Sequence, residues 1–132
     1  MSQSETATVL YIEDNRVNLE IVRRMLTYIG YTVLQAETGI SGVEMAIDKQ
    51  PDLILVDMFL PDIGGADVIK ALRGTLDYDV PILVITASEY PKAQQACKNA
   101  GCNGFMMKPV SRSDLLKTVK RHLQISSSSV AG

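Results

Sequence analysis

The sequence predicts an open α/β domain: five parallel strands in the order 2-1-3-4-5, with helices on both faces. Strand-like and helix-like stretches alternate five times along 132 residues, and strict βα alternation implies a parallel sheet with right-handed crossovers. The strand-like runs, including VLYI, LILV and ILVI, are apolar throughout rather than alternating, as strands buried on both faces are. The runs also end in polar residues: Glu13 and Asp14 after VLYI, Asp57 after LILV, Thr86 after ILVI and Lys108 after FMM. Ligand sites of open α/β sheets lie at the carboxyl ends of the strands. These residues are therefore expected in one crevice.

Residues 8–13 (TVLYIE) read as the first strand and Asn15 to Ile29 as the first helix, with Val17, Ile21, Val22, Met25, Leu26 and Ile29 near helical spacing. Gly30 stands where a C′ glycine ends a helix. YTVLQA (31–36) is the second strand, and Gly39 to Lys49 the second helix, with Val43, Ala46 and Ile47 as its inner face. Pro51 breaks the pattern before DLILVD (52–57), the third strand, and the third helix runs from about Gly65 to Arg73 with Val68, Ile69 and Leu72 apolar. VPILVITA (80–87) is the fourth strand, and Pro91 opens the fourth helix as a first-turn proline. Gly101 to Gly104 is a turn, FMMK a short fifth strand, and Asp114 to Leu123 the last helix, with Ser111 or Ser113 as N-cap. The result is a flavodoxin-like (βα)5 unit, whose switch point lies between strands one and three, the strands that carry Glu13, Asp14 and Asp57. The unit is placed at 8–124. Residues 1–7 are expected as a disordered N-terminus, and 125–132 (ISSSSVAG) as a Ser-rich tail or linker stub.

Composition narrows the function classes. Hydrophobic residues make 46% of the chain and charged residues 21%, ordinary for a globular domain. Net charge is −2 with no basic block, which gives nucleic-acid binding no electrostatic support. No apolar run approaches the ~20 residues that span a bilayer. The N-terminus MSQSETAT lacks the charged and apolar regions of a signal peptide, so a cytoplasmic location is expected. Cys97 and Cys102 are wrongly spaced for a CxxC or zinc site, and reduced buried thiols are the expectation. His122, the single histidine, is placed in the C-terminal turn of the last helix.

The chemistry follows from crowding. Carboxylates ~4 Å apart at an effective dielectric near 20 repel by about 4 kcal/mol per pair, so Glu13, Asp14 and Asp57 together call for a cation. Oxygen-only ligands with room for water suit Mg²⁺, and Lys108 offers a second positive charge. With its charge screened, one carboxylate can attack phosphorus; Asp57, central in the sheet, is the candidate. Thr86 and Lys108 then stand ready to hydrogen-bond the phosphoryl oxygens.

Four segments carry a family resemblance: YIEDN (11–15), DLILVDMFLPDIGG (52–65), ILVITAS (82–88) and GFMMKP (104–109). The chain resembles a response-regulator receiver domain of two-component signalling, of the chemotaxis-regulator kind, over about residues 8–123. The resemblance implies that Asp57 accepts phosphate from a histidine kinase or histidine phosphotransfer protein. Glu13, Asp14, the Asp57 side chain and the backbone carbonyl of Phe59 would hold Mg²⁺, with Mn²⁺ as a substitute. Thr86 would be the switch hydroxyl, Phe105 the switch aromatic and Lys108 the phosphate-pairing lysine, with Ala87 and Pro109 supporting. The Lys108–Pro109 bond would be cis. Phosphorylation would switch the surface of helix four, strand five and helix five for a downstream protein target, the chain being a monomer or weak dimer through that face. Tyr90 would line this face or stand at the surface. The chain would then be a phosphoacceptor and not a dedicated enzyme, with no output domain in its 132 residues.

Two other classes make different demands. A haloacid-dehalogenase-type phosphohydrolase needs an acidic residue two positions after its nucleophile, where this chain has Phe59. A flavodoxin-like FMN binder needs a Ser/Thr/Gly-rich phosphate loop after the first strand, where this chain has EDNRVN.

Overall fold

The side chains of the five apolar runs point alternately to opposite sides of one sheet, and that alternation organises the molecule. The structure, a computed structural model, describes residues 7–87 and 91–131, with side chains through residue 124. Its elements are β1 (Thr8–Ile12), α1 (Arg16–Tyr28), β2 (Thr32–Ala36), α2 (Gly39–Lys49), β3 (Leu53–Val56), α3 (Gly65–Thr75), β4 (Ile82–Thr86), α4 (Pro91–Ala100), β5 (Gly104–Met107) and α5 (Arg112–Ala131). The strands form one parallel sheet in the order β2-β1-β3-β4-β5, as expected. Val9, Tyr11, Leu53, Leu55, Leu83 and Ile85 face one core with Leu19, Val22 and Leu26 of α1 and Leu115, Val119 and Leu123 of α5. Leu10, Ile12, Ile54, Val56, Ile82 and Val84 face the other with Ala46 of α2, Val68, Ile69 and Leu72 of α3, and Cys97 and Ala100 of α4. Among the described residues, no helix is long and apolar enough to cross a membrane.

Three local readings need correction. On α1 the buried residues are Leu19, Val22 and Leu26, while Val17 is 67% and Ile21 46% exposed. At 100° per residue the first set shares one face and the second lies on another. On α2 the buried positions are Gly39, Gly42 and Ala46, with Ile47 exposed. Gly42 replaces a bulky contact because a Cβ there would lie 2.4 Å from Ile12 Cδ1, so the helix sits close on the sheet. Finally, α5 runs to Ala131, through most of the segment expected as a serine-rich tail. No Gly or Pro interrupts 112–131, and serine's helix penalty is modest. His122 is accordingly mid-helix, its Nδ1 2.8 Å from the Thr118 carbonyl oxygen, and is not in a C-terminal turn. At the other end, Ala7 is buried and its carbonyl accepts from Thr32 N–H at 3.0 Å. Residues 1–6 and Tyr90 lie outside the described residues.

The helix ends explain the glycines and both cysteines. Gly30 (φ 105°) and Gly101 (φ 112°) take the left-handed conformation. Tyr31 N–H then donates to Leu26 O and Cys102 N–H to Cys97 O, at 3.2 and 3.1 Å. This is the hydrogen-bond pattern that closes a helix and brings an apolar pair together; here the pairs are Leu26/Tyr31 and Cys97/Cys102. Burial holds the Cys97 thiol up at about 11, and both cysteines are free. Ser111 is the N-cap of α5, its Oγ accepting from Asp114 N–H at 3.0 Å.

Candidate functional site

Register brings the acids together. Ile12 pairs with Val56 across β1 and β3, so the next residues along, Glu13 and Asp57, leave the sheet side by side. Asp57 N–H donates to the Ile12 carbonyl at 3.0 Å and Glu13 N–H to that of Ala36 at 2.9 Å. Glu13 is fully buried and Asp57 is 6% exposed, whereas Asp14 is exposed. One carboxylate oxygen each from Glu13, Asp14 and Asp57 lie within 4.8 Å of one another. This all-oxygen cluster with an open side at Asp14 fits a hard divalent cation that keeps several waters, as Mg²⁺ does.

Lys108 reaches the cluster from the far edge of the sheet. The Lys108–Pro109 peptide is cis, as expected. Lys108 N–H donates to the Thr86 carbonyl at 2.9 Å. The side chain, 18% exposed, places Nζ 2.5 Å from Glu13 Oε1 and 3.3 Å from Asp57 Oδ2. Thr86 ends β4 fully buried. Val56 pairs with Val84, so Thr86 and Met58 stand at the same level, one step beyond Asp57. Phe105 is half-buried, paired with Val84 and packed against the α2–α4 core. Ala87 and Pro109 are exposed next to Thr86 and Lys108.

Electrostatics separates the carboxylates. Burial pushes Asp57 up, the Glu13 charge adds to it, and despite the Lys108 ammonium it reaches about 6 from its ordinary 3.8. Burial pushes Glu13 up too, but hydrogen bonds from Lys108 and Asp57, with the Lys108 charge, bring it below its ordinary value. For Lys108, burial favours the neutral amine; the Glu13 hydrogen bond and the two carboxylate charges outweigh it and raise the ammonium. Glu13 and Lys108 thus form a buried ion pair beside the raised Asp57 carboxyl.

The loop after β3 is fixed from two sides. Phe59 N–H donates to Asp57 Oδ1 at 3.4 Å, and its ring is 55% exposed. Gly65 N–H donates to the Met58 carbonyl at 2.8 Å, and a Cβ on Gly65 would lie 2.7 Å from Met58 Cα. Only glycine lets α3 start that close to the backbone of Asp57 and Met58. Asp62 accepts from Gly39 N–H (2.8 Å) and Ile40 N–H (2.9 Å), tying the loop to the first turn of α2.

All five strand-end residues are thus at the carboxyl end of the sheet, and Glu13, Asp14, Asp57 and Lys108 meet there. Two contributors escape a reading for strand-end polar residues. Asp62 acts across the fold on another helix, with no local signal. Tyr11 is fully buried within β1, its hydroxyl donating to Glu13 Oε1 at 3.0 Å. Burial and the Glu13 charge hold its phenol well above the ordinary range. Its signal is spacing: residues i and i+2 of a strand share a face.

Comparison with known proteins agrees with this geometry. A family model described as the response regulator receiver domain matches residues 9–120. The polar-differentiation response regulator DivK of Brucella ovis is 29% identical over 119 residues, 89% of this chain and 97% of that protein. The receiver domain of sensor histidine kinase PA1611 from Pseudomonas aeruginosa PAO1, solved with a magnesium ion coordinated in its active site cleft, shares 31% identity at a TM-score of 0.84, over 90% of this chain and 98% of that one. A CheY-like response regulator receiver domain protein from Methanospirillum hungatei JF-1 shares 25% identity at a TM-score of 0.90, over 94% and 98% of the two chains.

Proposed function

This chain belongs to the response regulator receiver domain family, and from that premise we propose that Asp57 is its phosphoacceptor, served by Glu13, Asp14, Thr86, Phe105 and Lys108. The observation that carries the reading is the meeting of three carboxylates within 4.8 Å with the Lys108 ammonium 3.3 Å from Asp57 Oδ2. A histidine kinase or histidine phosphotransfer protein is the donor. An Asp57 oxygen attacks phosphorus, the histidine N–P bond breaks as the Asp57 O–P bond forms, and the departing imidazole nitrogen keeps the electron pair. Glu13, Asp14, Asp57 and the Phe59 carbonyl would hold Mg²⁺, or Mn²⁺ in its place, which would supply charge screening for the carboxylates and the phosphoryl oxygens. Lys108 passes from the Asp57 carboxylate to a phosphoryl oxygen, and the Thr86 hydroxyl closes on another. Phe105 then turns inward, and the surface of α4, β5 and α5 changes for a downstream protein partner. A groove of about 640 Å³ on this side, lined by Phe105, Met107, Pro109, Asp114, Lys117 and Arg121, gives a partner or a second copy a place to rest. Ala87 and Pro109 support the switch backbone.

Phe59 puts a hydrocarbon ring where a haloacid-dehalogenase-type phosphohydrolase keeps its acid/base, which favours a phosphoacceptor over that class of hydrolase. Nucleic acid is not a partner on this reading, and the cytoplasm is the expected compartment. Incubation with acetyl phosphate and Mg²⁺ should add one phosphoryl mass to the intact protein, and the Asp57→Asn variant should gain none. Equal uptake by the variant would overturn the assignment.

A further inference from the structure

One oxygen of the Glu13 carboxylate serves two donors of different mobility. Lys108 Nζ lies 2.5 Å from Oε1, and the Tyr11 hydroxyl lies 3.0 Å from the same atom. Lys108 is a long, flexible side chain that also touches Asp57. Tyr11 is immobile by comparison, 0% exposed in the core with Leu19, Leu55, Leu115 and Val119. Packing does not account for the hydroxyl, since phenylalanine would fill the same apolar space. Glu13 does account for it.

We propose that Tyr11 is a positioning residue, whose hydroxyl keeps the Glu13 carboxylate in the cation-binding cluster when Lys108 leaves it for the phosphoryl group. The inference rests on the phosphoacceptor reading above. A buried carboxylate oxygen that loses a donor bears the cost of desolvation without compensation. Glu13 Oε1 is in that position once Lys108 turns away, and Tyr11 is the donor that stays. The arrangement is specific to glutamate. An aspartate at position 13 would be one methylene shorter, about 1.5 Å, and would draw its carboxylate out of reach of Tyr11.

Four proteins test this: the wild type, Tyr11→Phe, Glu13→Asp and the double variant. Mg²⁺ is titrated into each with and without beryllofluoride as the phosphoryl mimic, with the amide signals of residues 14, 57 and 58 followed by NMR, and phosphorylation by acetyl phosphate is measured across the same Mg²⁺ range. Urea unfolding in EDTA reports stability separately. With beryllofluoride in place, where Lys108 has left Glu13, Tyr11→Phe should weaken Mg²⁺ binding about 10- to 150-fold, the worth of one hydrogen bond to a charged group. Its phosphorylation rate should fall at limiting Mg²⁺ and recover towards wild type as Mg²⁺ is raised. In the Glu13→Asp background the same substitution should change Mg²⁺ affinity by less than about 2-fold, because the bond it removes is already gone. Unchanged Mg²⁺ affinity in Tyr11→Phe, or an equal loss in both backgrounds, would make Tyr11 a packing residue and overturn the proposal. A wild type that neither binds Mg²⁺ nor takes up phosphate would overturn both this inference and the reading beneath it, so the two failures are distinguishable.

Discussion

Burial beside Glu13 raises the Asp57 carboxyl from 3.8 to about 6, and the sign of that shift sets what the residue does to stability. Between these values the folded protein binds more protons than the unfolded chain, so stability falls as pH rises through that window and stays lower above it. A shift of this size corresponds to an upper bound of roughly 3 kcal/mol. Without metal at pH 7.5, Asp57→Asn should therefore be more stable than wild type by roughly 1–3 kcal/mol, with the gap closing below pH 4. Urea midpoints in EDTA at the two pH values check this; a less stable variant at pH 7.5 would mean that the Lys108 contact outweighs burial. Adding Mg²⁺ should narrow the gap by stabilising the wild type more than the variant, which lacks one carboxylate of the cluster. At this scale the acids were legible in the sequence because each ends an apolar run. Tyr11 was not, because a tyrosine inside such a run reads as core until the bond to Glu13 is seen.

Elements are joined at this site by side chains that act away from their own helix or strand. Asp62 belongs to the loop after β3, yet both its oxygens accept backbone N–H groups of α2. The Ile40 and Gly39 hydrogen bonds hold its carboxyl below the usual range. A depressed acid stabilises the fold above its unfolded-state pKa and loses that contribution as pH falls through the folded value. Asp62→Ala should thus lower the melting temperature at pH 7, and the difference from wild type should close at pH values below the ordinary aspartate range. A pH-independent difference would assign the loss to loop packing instead. Sequence periodicity located α1 and α2 correctly in the chain and found part of their inner faces (Val22, Leu26 and Ala46), but it included Val17, Ile21 and Ile47, which are exposed, and missed Leu19 and Gly42. A hydrophobic pattern counts apolar residues without knowing how near the sheet lies: Gly42 is inner because Ile12 needs the space, and Val17 and Ile21 are outer because Leu19, Val22 and Leu26 already fill the inner stripe. For α5, the serines after Gln124 read as tail by composition, and the absence of a stop residue was the better guide.

Across the whole molecule, the parallel sheet places Asp57, the proposed phosphoacceptor, at its middle and the groove proposed for a partner at its β5 edge. The link between them is short. Lys108 N–H bonds the Thr86 carbonyl, and the β4–β5 ladder pairs Val84 with Phe105 and Thr86 with Met107. Carrying a two-state equilibrium from ~1% to ~99% requires about 5.5 kcal/mol of differential stabilisation. The new contacts on the proposed pathway are one from the Lys108 ammonium and one from the Thr86 hydroxyl to a phosphoryl oxygen. Hydrogen bonds to charged groups contribute about 1.5–3 kcal/mol each, so the pair supplies roughly 3–6 kcal/mol and reaches the requirement only at its upper limit. On the proposed function, a partner that binds the active arrangement better would supply the remainder. Protein loaded with Mg²⁺ and beryllofluoride should therefore still sample both arrangements, with exchange-broadened amide signals at residue 86, at 104–108 and along α4. Adding a partner should sharpen those signals, while those of β2, at the opposite edge of the sheet, stay unchanged throughout. Sharp, fully shifted signals without a partner would show that phosphorylation alone completes the switch, and shifts confined to residues 13, 14 and 57 would show that the β5 edge does not follow it.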